Sequence, residues 1–221
     1  WGSAINYAIK KAKSKYIMTL DCDVAITSEN ISNLLAKGKK LKSFGVLMPK
    51  IYRQKYEDLI IGYDKKYKLS ILSFNTGCVM LFKRETFLKV GSFDENYFLY
   101  FEESDFFTRC IKSNKKIYLY DKFSVKHGGS RSINLKHKNE YFIFRSWHYC
   151  WSKFYYYKKH NNYFIALSKT FPNFKKSIFG MIKNLIVGDI FKFKLHNAEF
   201  RGLTKSYLFM KSNFRMDINI D

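Results

Sequence analysis

The stretch YIMTLDCD, residues 16–23, ends an apolar run with two carboxylates, Asp21 and Asp23, one residue apart. Because residues 16–20 are short, apolar and β-prone, they predict a buried strand that delivers both acids to the edge of a sheet. Carboxylate oxygens are the ligands that Mg²⁺ and Mn²⁺ prefer, and these cations often share them with a diphosphate. An Asp-rich turn after a strand would produce the same pattern. Both interpretations stay open on this motif alone.

A second acidic region lies between Gly91 and Thr108, where no lysine or arginine occurs although the chain carries 40 of them. The local field is therefore negative, which indicates either a bound cation or a carboxylate that accepts protons. Acids in a first helical turn also stabilise the helix, by about 0.3–1 kcal/mol each. That structural account fits Asp105 as well as a functional one does. The adjacent pair Glu102 and Glu103, which follows the aromatic run NYFLYF, favours a functional role.

His127 follows a predicted strand and precedes Gly128 and Gly129. A histidine at a strand end can ligate a metal, and the glycines would allow the backbone to approach closely. A single histidine is more often a hydrogen-bonded loop residue. Its place after the Asp-X-Asp motif and the acidic region strengthens the metal interpretation.

The elements that must position these residues alternate between helix and strand over the first 130 residues. This alternation predicts an α/β layered domain with a largely parallel sheet, whose ligands collect at the carboxyl ends of the strands. The segment 52–69 is polar and aperiodic and is interpreted as a surface loop. The predicted helices are 3–14, 27–41, 84–90 and 102–113, and the predicted strands are 16–20, 44–48 (stopped by Pro49), 78–82, 117–120 and 123–126.

From about Lys138 the pattern changes to long helices, predicted at 141–159, 174–187 and 199–210. We therefore expect residues 1–137 to form a catalytic α/β domain and residues 138–221 a basic, aromatic, helical C-terminal region. This region has fifteen basic residues against five acidic ones. Basic helices with aromatic faces can lie on anionic lipid. They can also pack on a sheet with their lysines in solvent, and the two interpretations are compatible.

Composition limits the class of protein. With 221 residues and 47% hydrophobic content the chain can bury a core, and its net charge of +22 calls for an anionic partner such as nucleic acid, lipid or a phosphorylated substrate. The four cysteines are far apart and form no C-x-x-C pair, which favours a reduced, cytoplasmic protein over a zinc ribbon or a disulfide framework. No apolar run approaches the roughly 20 residues of a membrane-spanning helix, and no signal peptide occurs.

Four blocks of this sequence resemble glycosyltransferase family 2, the inverting GT-A group that includes bacterial rhamnosyltransferase-like enzymes. The resemblance covers roughly residues 1–130 and implies a GT-A (Rossmann-like) nucleotide-diphospho-sugar transferase sheet. Its first strands, which grip the pyrimidine base, would lie upstream of Trp1, so we expect an N-terminally truncated domain. The four blocks are GSAIN, YIMTLDCD, TGCVMLFKRETFLKVGSFDENYFLYFEESDFFTRC and VKHGGS.

The resemblance also implies a donor site. Asp21 would face the ribose or the sugar of the donor. Asp23 with His127 would hold a divalent cation, Mg²⁺ or Mn²⁺, that bridges the diphosphate. Asn6 would contact the nucleotide, and Gly77 would let the backbone approach the sugar.

The catalytic base of the family would fall at Glu103, where it would deprotonate an acceptor hydroxyl. The family motif is usually Glu-Asp-X-Asp, whereas this chain has Glu-Glu-Ser-Asp at residues 102–105. A glutamate is one methylene longer than an aspartate, so its reach differs. Glu102 therefore stays a second candidate for the base.

The implied activity is transfer of a sugar from a UDP- or dTDP-linked donor to a hydroxyl of lipopolysaccharide, capsule or a similar surface glycan, free or lipid-linked. Such an enzyme is expected in the cytoplasm, in peripheral contact with the inner face of an anionic membrane. An alternative is a nucleic-acid-binding module, which the charge and the many aromatic residues favour. No RNP, KH or helix-turn-helix signature occurs, and the acidic region suits a phosphate backbone poorly, so no nucleic acid partner is expected. A third hypothesis is an inactive glycosyltransferase-like scaffold.

Overall fold

The computed structural model describes residues 1–74, 76–128 and 137–215, which form two compact units. The sheet unit comprises Gly2–Asp94 and Glu103–Ser132, and the helical unit comprises Trp1, Glu95–Glu102 and Ile133–Asp221. An open α/β sheet followed by a helical C-terminal region confirms the predicted fold class and is consistent with a GT-A sheet. The segment 95–102, which lies between two elements of the sheet unit in sequence, groups with the helical unit. Gly129 lies outside the described residues.

The sheet unit contains four helices and seven strands among the described residues. Most agree with the sequence predictions to within a few residues; helix α2, for example, is capped by Thr27, whose Oγ accepts a hydrogen bond from the N–H of Asn30. In chain order the elements are α1 Gly2–Lys11, β1 Tyr16–Leu20, β2 Val24–Ala25, α2 Ser28–Lys40, β3 Val46–Ile51, β4 Ile60–Asp64, β5 Leu69–Leu72, β6 Val79–Lys83, α3 Arg84–Val90, α4 Glu102–Lys112 and β7 Ile117–His127.

The sheet is mixed, with the strand order β1-β6-β3-β7-β5-β4 and with β2 paired to β7. Among the described strands only β3 and β7 are parallel, so the prediction of a largely parallel sheet was wrong. Helix–strand alternation does not determine strand direction, and β5 and β6 are not separated by a helix. The predicted loop 52–69 in fact contains the edge strand β4. Most β4 side chains are exposed or half-exposed, which explains why the segment shows no alternating pattern.

Two strands run further than predicted. Strand β3 continues through Pro49 to Ile51, and its pairing with β7 shifts register between Pro49 and Lys50. A proline has no N–H to donate, and such an irregularity accommodates it within a strand. Strand β7 is continuous where two strands were predicted, because the exposed polar pair Asp121–Lys122 lies within that irregularity.

The core of the sheet unit is divided between the two faces of the sheet. Val46 and Met48 of β3 belong to one buried cluster and Leu47 to the other, as the alternation of side chains along a strand requires. Helices α1, α3 and α4 cover the first face and α2 covers the second. Helix α4 is held by two fully buried phenylalanines, Phe106 and Phe107, and this fixes the position of its first turn.

The helical unit contains the helices α5 Lys138–His160, α6 Tyr163–Val187 and α7 Ile190–Tyr207. Gly202 of α7 lies against the backbone of Trp147 in α5, where no Cβ would fit. Helix α6 begins eleven residues before its predicted start of residue 174 and contains Pro172. No helix within the described ranges is both long and apolar enough to cross a membrane.

The segment 95–102 packs against α5 within the helical unit. The Ser152 hydroxyl donates to the carbonyl oxygen of Leu99 at 2.9 Å, and the rings of Tyr97 and Tyr155 lie 4.9 Å apart. Just before α4, Tyr100 and Phe101 have φ values of 67° and 69°. Bulky side chains rarely adopt this left-handed conformation, which costs of order 1 kcal/mol or more per residue and persists only when the surroundings enforce it.

Candidate functional site

The end of β1 and the start of β6 bring Asp21 beside Gly77. The two strands pair antiparallel, with Leu20 opposite Val79, so the residue after β1 meets the residues before β6. The N–H of Asp21 donates to the carbonyl oxygen of Cys78 at 2.9 Å. The sequence YIMTLDCD thus places its first carboxylate at a sheet edge, as predicted.

The end of β7 brings His127 to the same place. Strand β2 pairs antiparallel with it, Val24 lying opposite His127, and the N–H of Gly128 donates to the carbonyl oxygen of Asp23 at 2.8 Å. The loop that carries the two aspartates is therefore held to the end of β7 at Asp23 and Val24, and to Cys78 at Asp21.

Asp21, Asp23 and His127 form a candidate metal site. His127 Nε2 lies 3.2 Å from Asp23 Oδ1 and 3.8 Å from Asp21 Oδ2, and one potential ligand atom of each residue lies within 4.8 Å of the others. Two carboxylates with one imidazole, on a partly exposed edge, are a donor set suited to Mn²⁺ or Mg²⁺. The residues present therefore fit a divalent cation. The sequence prediction assigned Asp23 and His127 to the metal; the structure adds Asp21 as a possible ligand.

Glu103 lies in the first turn of α4, directly against Gly77. A Cβ atom on residue 77 would lie 3.0 Å from the Cβ of Glu103, closer than side chains normally pack, so the glycine favours this approach. The Oε2 atom of Glu103 is buried and has no hydrogen-bond partner among the described residues. Burial raises the pKa of this carboxyl; the charge of Asp21 raises it as well, while the N–H groups of Glu103 and Gly77 oppose the increase.

Glu102, the other predicted candidate for the base, belongs to the helical unit. It is buried, and its charge is one of the influences that raise the pKa of the Tyr100 hydroxyl, after burial as the main cause. Within the sheet unit it is Glu103 that the fold brings to Asp21 and Gly77.

Asp105 has a structural partner. Its side chain is completely buried, and its Oδ2 accepts a hydrogen bond from Arg109 Nε at 2.9 Å. The other guanidinium nitrogens of Arg109 donate at 2.8–2.9 Å to the carbonyl oxygens of residues 90, 91 and 92, at the end of α3. We call Asp105, Arg109 and these carbonyls the arginine cluster. It favours the structural account of Asp105 that the sequence left open.

Asn6 is also buried, and both ends of its carboxamide bond the backbone of Phe93. Its Nδ2 donates to the Phe93 carbonyl at 2.8 Å and its Oδ1 accepts from the Phe93 N–H at 2.9 Å. These bonds attach α1 to the segment after α3. They do not bring Asn6 to the aspartates, and its contact with a nucleotide stays a prediction.

The geometry places a carboxylate and imidazole set that fits a cation close to a buried carboxyl with a raised pKa, at one edge of the sheet. Residues 1–133 match the family described as Glycosyl transferase family 2. The match covers more than half of the chain, and the chain therefore belongs to this family and is a glycosyltransferase. Family membership implies a nucleotide-sugar donor and an acceptor. A search of curated proteins gives no match to the chain.

Proposed function

We propose that this glycosyltransferase moves a sugar from a UDP- or dTDP-linked donor to a hydroxyl of a surface glycan, with inversion and with a divalent cation. The observation that carries the proposal is the convergence of Asp21, Asp23 and His127 on one point of the sheet edge, with Glu103 beside Asp21. A rhamnosyltransferase-like subtype, acting on lipopolysaccharide, capsule or a lipid-linked glycan, follows from the sequence resemblance alone.

In this proposal Asp23 and His127, with Asp21, hold Mg²⁺ or Mn²⁺. When bound, the cation offsets the negative charge that develops on the departing nucleoside diphosphate. Asp21 also accepts hydrogen bonds from hydroxyls of the donor. Gly77 lets the backbone lie close to the sugar, because no side chain occupies that position.

Glu103 is the proposed catalytic base. It accepts the proton of the acceptor hydroxyl, whose oxygen forms a bond to the anomeric carbon while the bond to the diphosphate oxygen breaks on the opposite face. This displacement inverts the anomeric centre. Because a base works best with a pKa near the operating pH, the raised pKa of Glu103 suits the role. Glu102 is the second candidate, since it precedes Glu103 on the same helix.

The test is calorimetric titration of UDP and dTDP, with and without Mn²⁺, into the wild-type chain and Asp23→Ala. We expect Mn²⁺-dependent binding that Asp23→Ala abolishes, since the variant removes one of three potential ligands. Glu57→Ala, which removes an exposed carboxylate of the same unit, is the matched control and should bind like the wild type. Binding of neither nucleotide, or equal binding by Asp23→Ala, would contradict the proposed donor site.

A further inference from the structure

We propose that helix α6 lies on the surface of an anionic phospholipid bilayer, with its outer face among the lipids. The inference goes beyond the proposed function, because it uses only residues of the helical unit and none of the site. It also assigns the expected membrane contact to one helix and one face.

The outer face of α6 is an apolar stripe exposed to solvent. Its members recur at spacings of seven, eight, three and four residues, which places them on one side of a helix. Phe164 and Ile186, at its two ends, are 79% and 80% exposed. We call this surface the α6 stripe; its members are Phe164, Phe171, Phe179, Ile182 and Ile186.

The fully buried residues on the inner face of α6 are small or polar, and Leu167 and Phe174 pack beside them only partly buried. Ala166, Thr170, Ser177 and Asn184 are all buried. The polar side chains among them bond carbonyl oxygens of α6 itself: Thr170 to Ala166 at 2.8 Å, Ser177 to Phe174 at 2.7 Å and Asn184 to Gly180 at 2.7 Å. A helix that packs on a water-soluble core normally buries its large apolar side chains and exposes its polar ones. Helix α6 departs from this rule, because the large apolar side chains of the α6 stripe are exposed while its fully buried residues are small or polar. This suits a helix whose outer face meets lipid.

The positive charge of α6 and α7 favours an anionic membrane as the surface that the α6 stripe contacts. Residues 163–207 contain eight basic residues and two acidic ones. Lys176 and Lys183 are exposed beside the α6 stripe, and with Lys192 of α7 they line a groove of about 960 Å³ whose apolar lining includes Phe179 and Ile182. Lysine stems can lie along apolar surface while their ammonium groups reach lipid phosphates, and each basic residue near an anionic membrane strengthens the attraction.

A second copy of the chain is the alternative occupant. Pairing two copies through the α6 stripe would bring these lysines together and oppose association, whereas an anionic bilayer neutralises them. Because the stripe occupies one side of the helix only, we expect the helix to lie parallel to the membrane plane.

The experiment is cosedimentation of the 221-residue chain with vesicles of phosphatidylcholine alone or mixed equally with phosphatidylglycerol. We expect binding to the anionic vesicles only, weakening as salt is raised. The triple variant Phe179→Ser, Ile182→Ser, Ile186→Ser should lose about tenfold or more in affinity, since it removes the inserted apolar area. The control Tyr7→Ser, Ile61→Ser, Leu88→Ser changes three similarly exposed apolar residues of the sheet unit and should bind like the wild type.

A second variant tests the charge without changing the apolar face. Lys176→Gln with Lys183→Gln should lower affinity for anionic vesicles about tenfold or more. Circular dichroism and UDP titration of each variant separate loss of fold and failure of the donor site from loss of membrane binding. Equal vesicle binding by wild type and the apolar triple variant would overturn the inference. So would a wild-type dimer that ignores vesicles and becomes monomeric in that variant, since it would assign the stripe to a second copy.

Discussion

Helix α4 places one carboxylate, Glu103, near the candidate metal site and another, Asp105, in the arginine cluster. The two carboxylates have opposite electrostatic surroundings. Asp105 is fully buried, but a guanidinium at 2.9 Å compensates its charge. Glu103, two residues earlier, has a buried oxygen without a partner among the described residues and lies near a second carboxylate, Asp21. A buried carboxylate is thus a structural part of the fold in one case and a group with a raised pKa in the other. What distinguishes the two is the partner, not the burial.

The largest expected effect is on turnover by Glu103→Gln. The variant keeps the shape of the side chain but cannot accept the proton, so kcat should fall about 10³-fold, within the range for a lost general base. Nucleoside diphosphate release over a panel of acceptor glycans measures it, and UDP titration should show unchanged binding. Glu102→Gln is the matched variant on the neighbouring residue. If turnover were lost in Glu102→Gln and kept in Glu103→Gln, the base would be Glu102, and the contrast between Glu103 and Asp105 would have no catalytic meaning.

Asp105→Ala should act on stability instead. Removing one partner of a buried ion pair costs about 3 kcal/mol or more, because the other charge stays uncompensated. Urea unfolding measures this loss. The control is Glu85→Ala, which breaks an exposed pair with Lys89 at the same four-residue spacing and should change stability far less, because solvent screens that pair. Similar losses in both variants would show that the arginine cluster is not the structural element inferred here.

Gly77→Ala tests the approach of Glu103 to the site. The new methyl group would lie 3.0 Å from the Glu103 Cβ, so Glu103 must shift by about a few tenths of an ångström. Because a displacement near 1 Å can cost up to about 100-fold in rate, we expect this smaller shift to lower kcat by roughly threefold to tenfold. Gly62→Ala, whose Cβ would meet its nearest neighbour at an ordinary 3.7 Å, should leave turnover unchanged. Full activity of Gly77→Ala would mean that Glu103 need not occupy its observed position.

The smallest expected effect is the pH dependence of stability. Because the pKa of Glu103 is raised in the folded protein, the folded state holds this proton more tightly than the unfolded chain. Its contribution to stability is present at acid pH and is lost as pH rises from the unfolded pKa through the folded one. Glu103→Gln removes that loss, so it should become more stable relative to the wild type as pH increases. Urea unfolding with a chelator present measures the difference; a difference independent of pH would contradict the raised pKa.

Local sequence predicted the elements better than their arrangement. The apolar run 16–20 and the Thr27 cap define β1 and α2 because short-range propensity decides them. Strand direction depends on long-range pairing that no local pattern contains, and so the mixed sheet and the hidden edge strand β4 were not predicted. Pro49 was interpreted as a strand end because the register shift that accommodates it is set by the partner strand.

The candidate metal site was predictable because the family motif and the ligand chemistry of its side chains indicated the same residues. Asp23 and His127 were placed together by resemblance, and the structure brings them within 3.2 Å. The different surroundings of Glu102, Glu103 and Asp105 were not predictable from the sequence. They depend on the unit to which Glu102 belongs and on the contact of Asp105 with Arg109. Asn6 was predicted to contact the nucleotide because it lies in a family motif. Its described hydrogen bonds are instead to the backbone of Phe93, 87 residues away, which no local pattern contains.

Segment 95–102 belongs to the helical unit although it lies, in sequence, between two parts of the sheet unit. This has a consequence for protein engineering. The residues that lead into α4 pack with α5, while Glu103 and the rest of α4 belong with the sheet. Truncation near residue 137 would leave Tyr97 and Leu99 without their α5 neighbours and would release the left-handed pair Tyr100–Phe101 from the packing that enforces it. The helical region is therefore not an exchangeable module. A chimera that replaces it must also replace the eight residues that precede the proposed base.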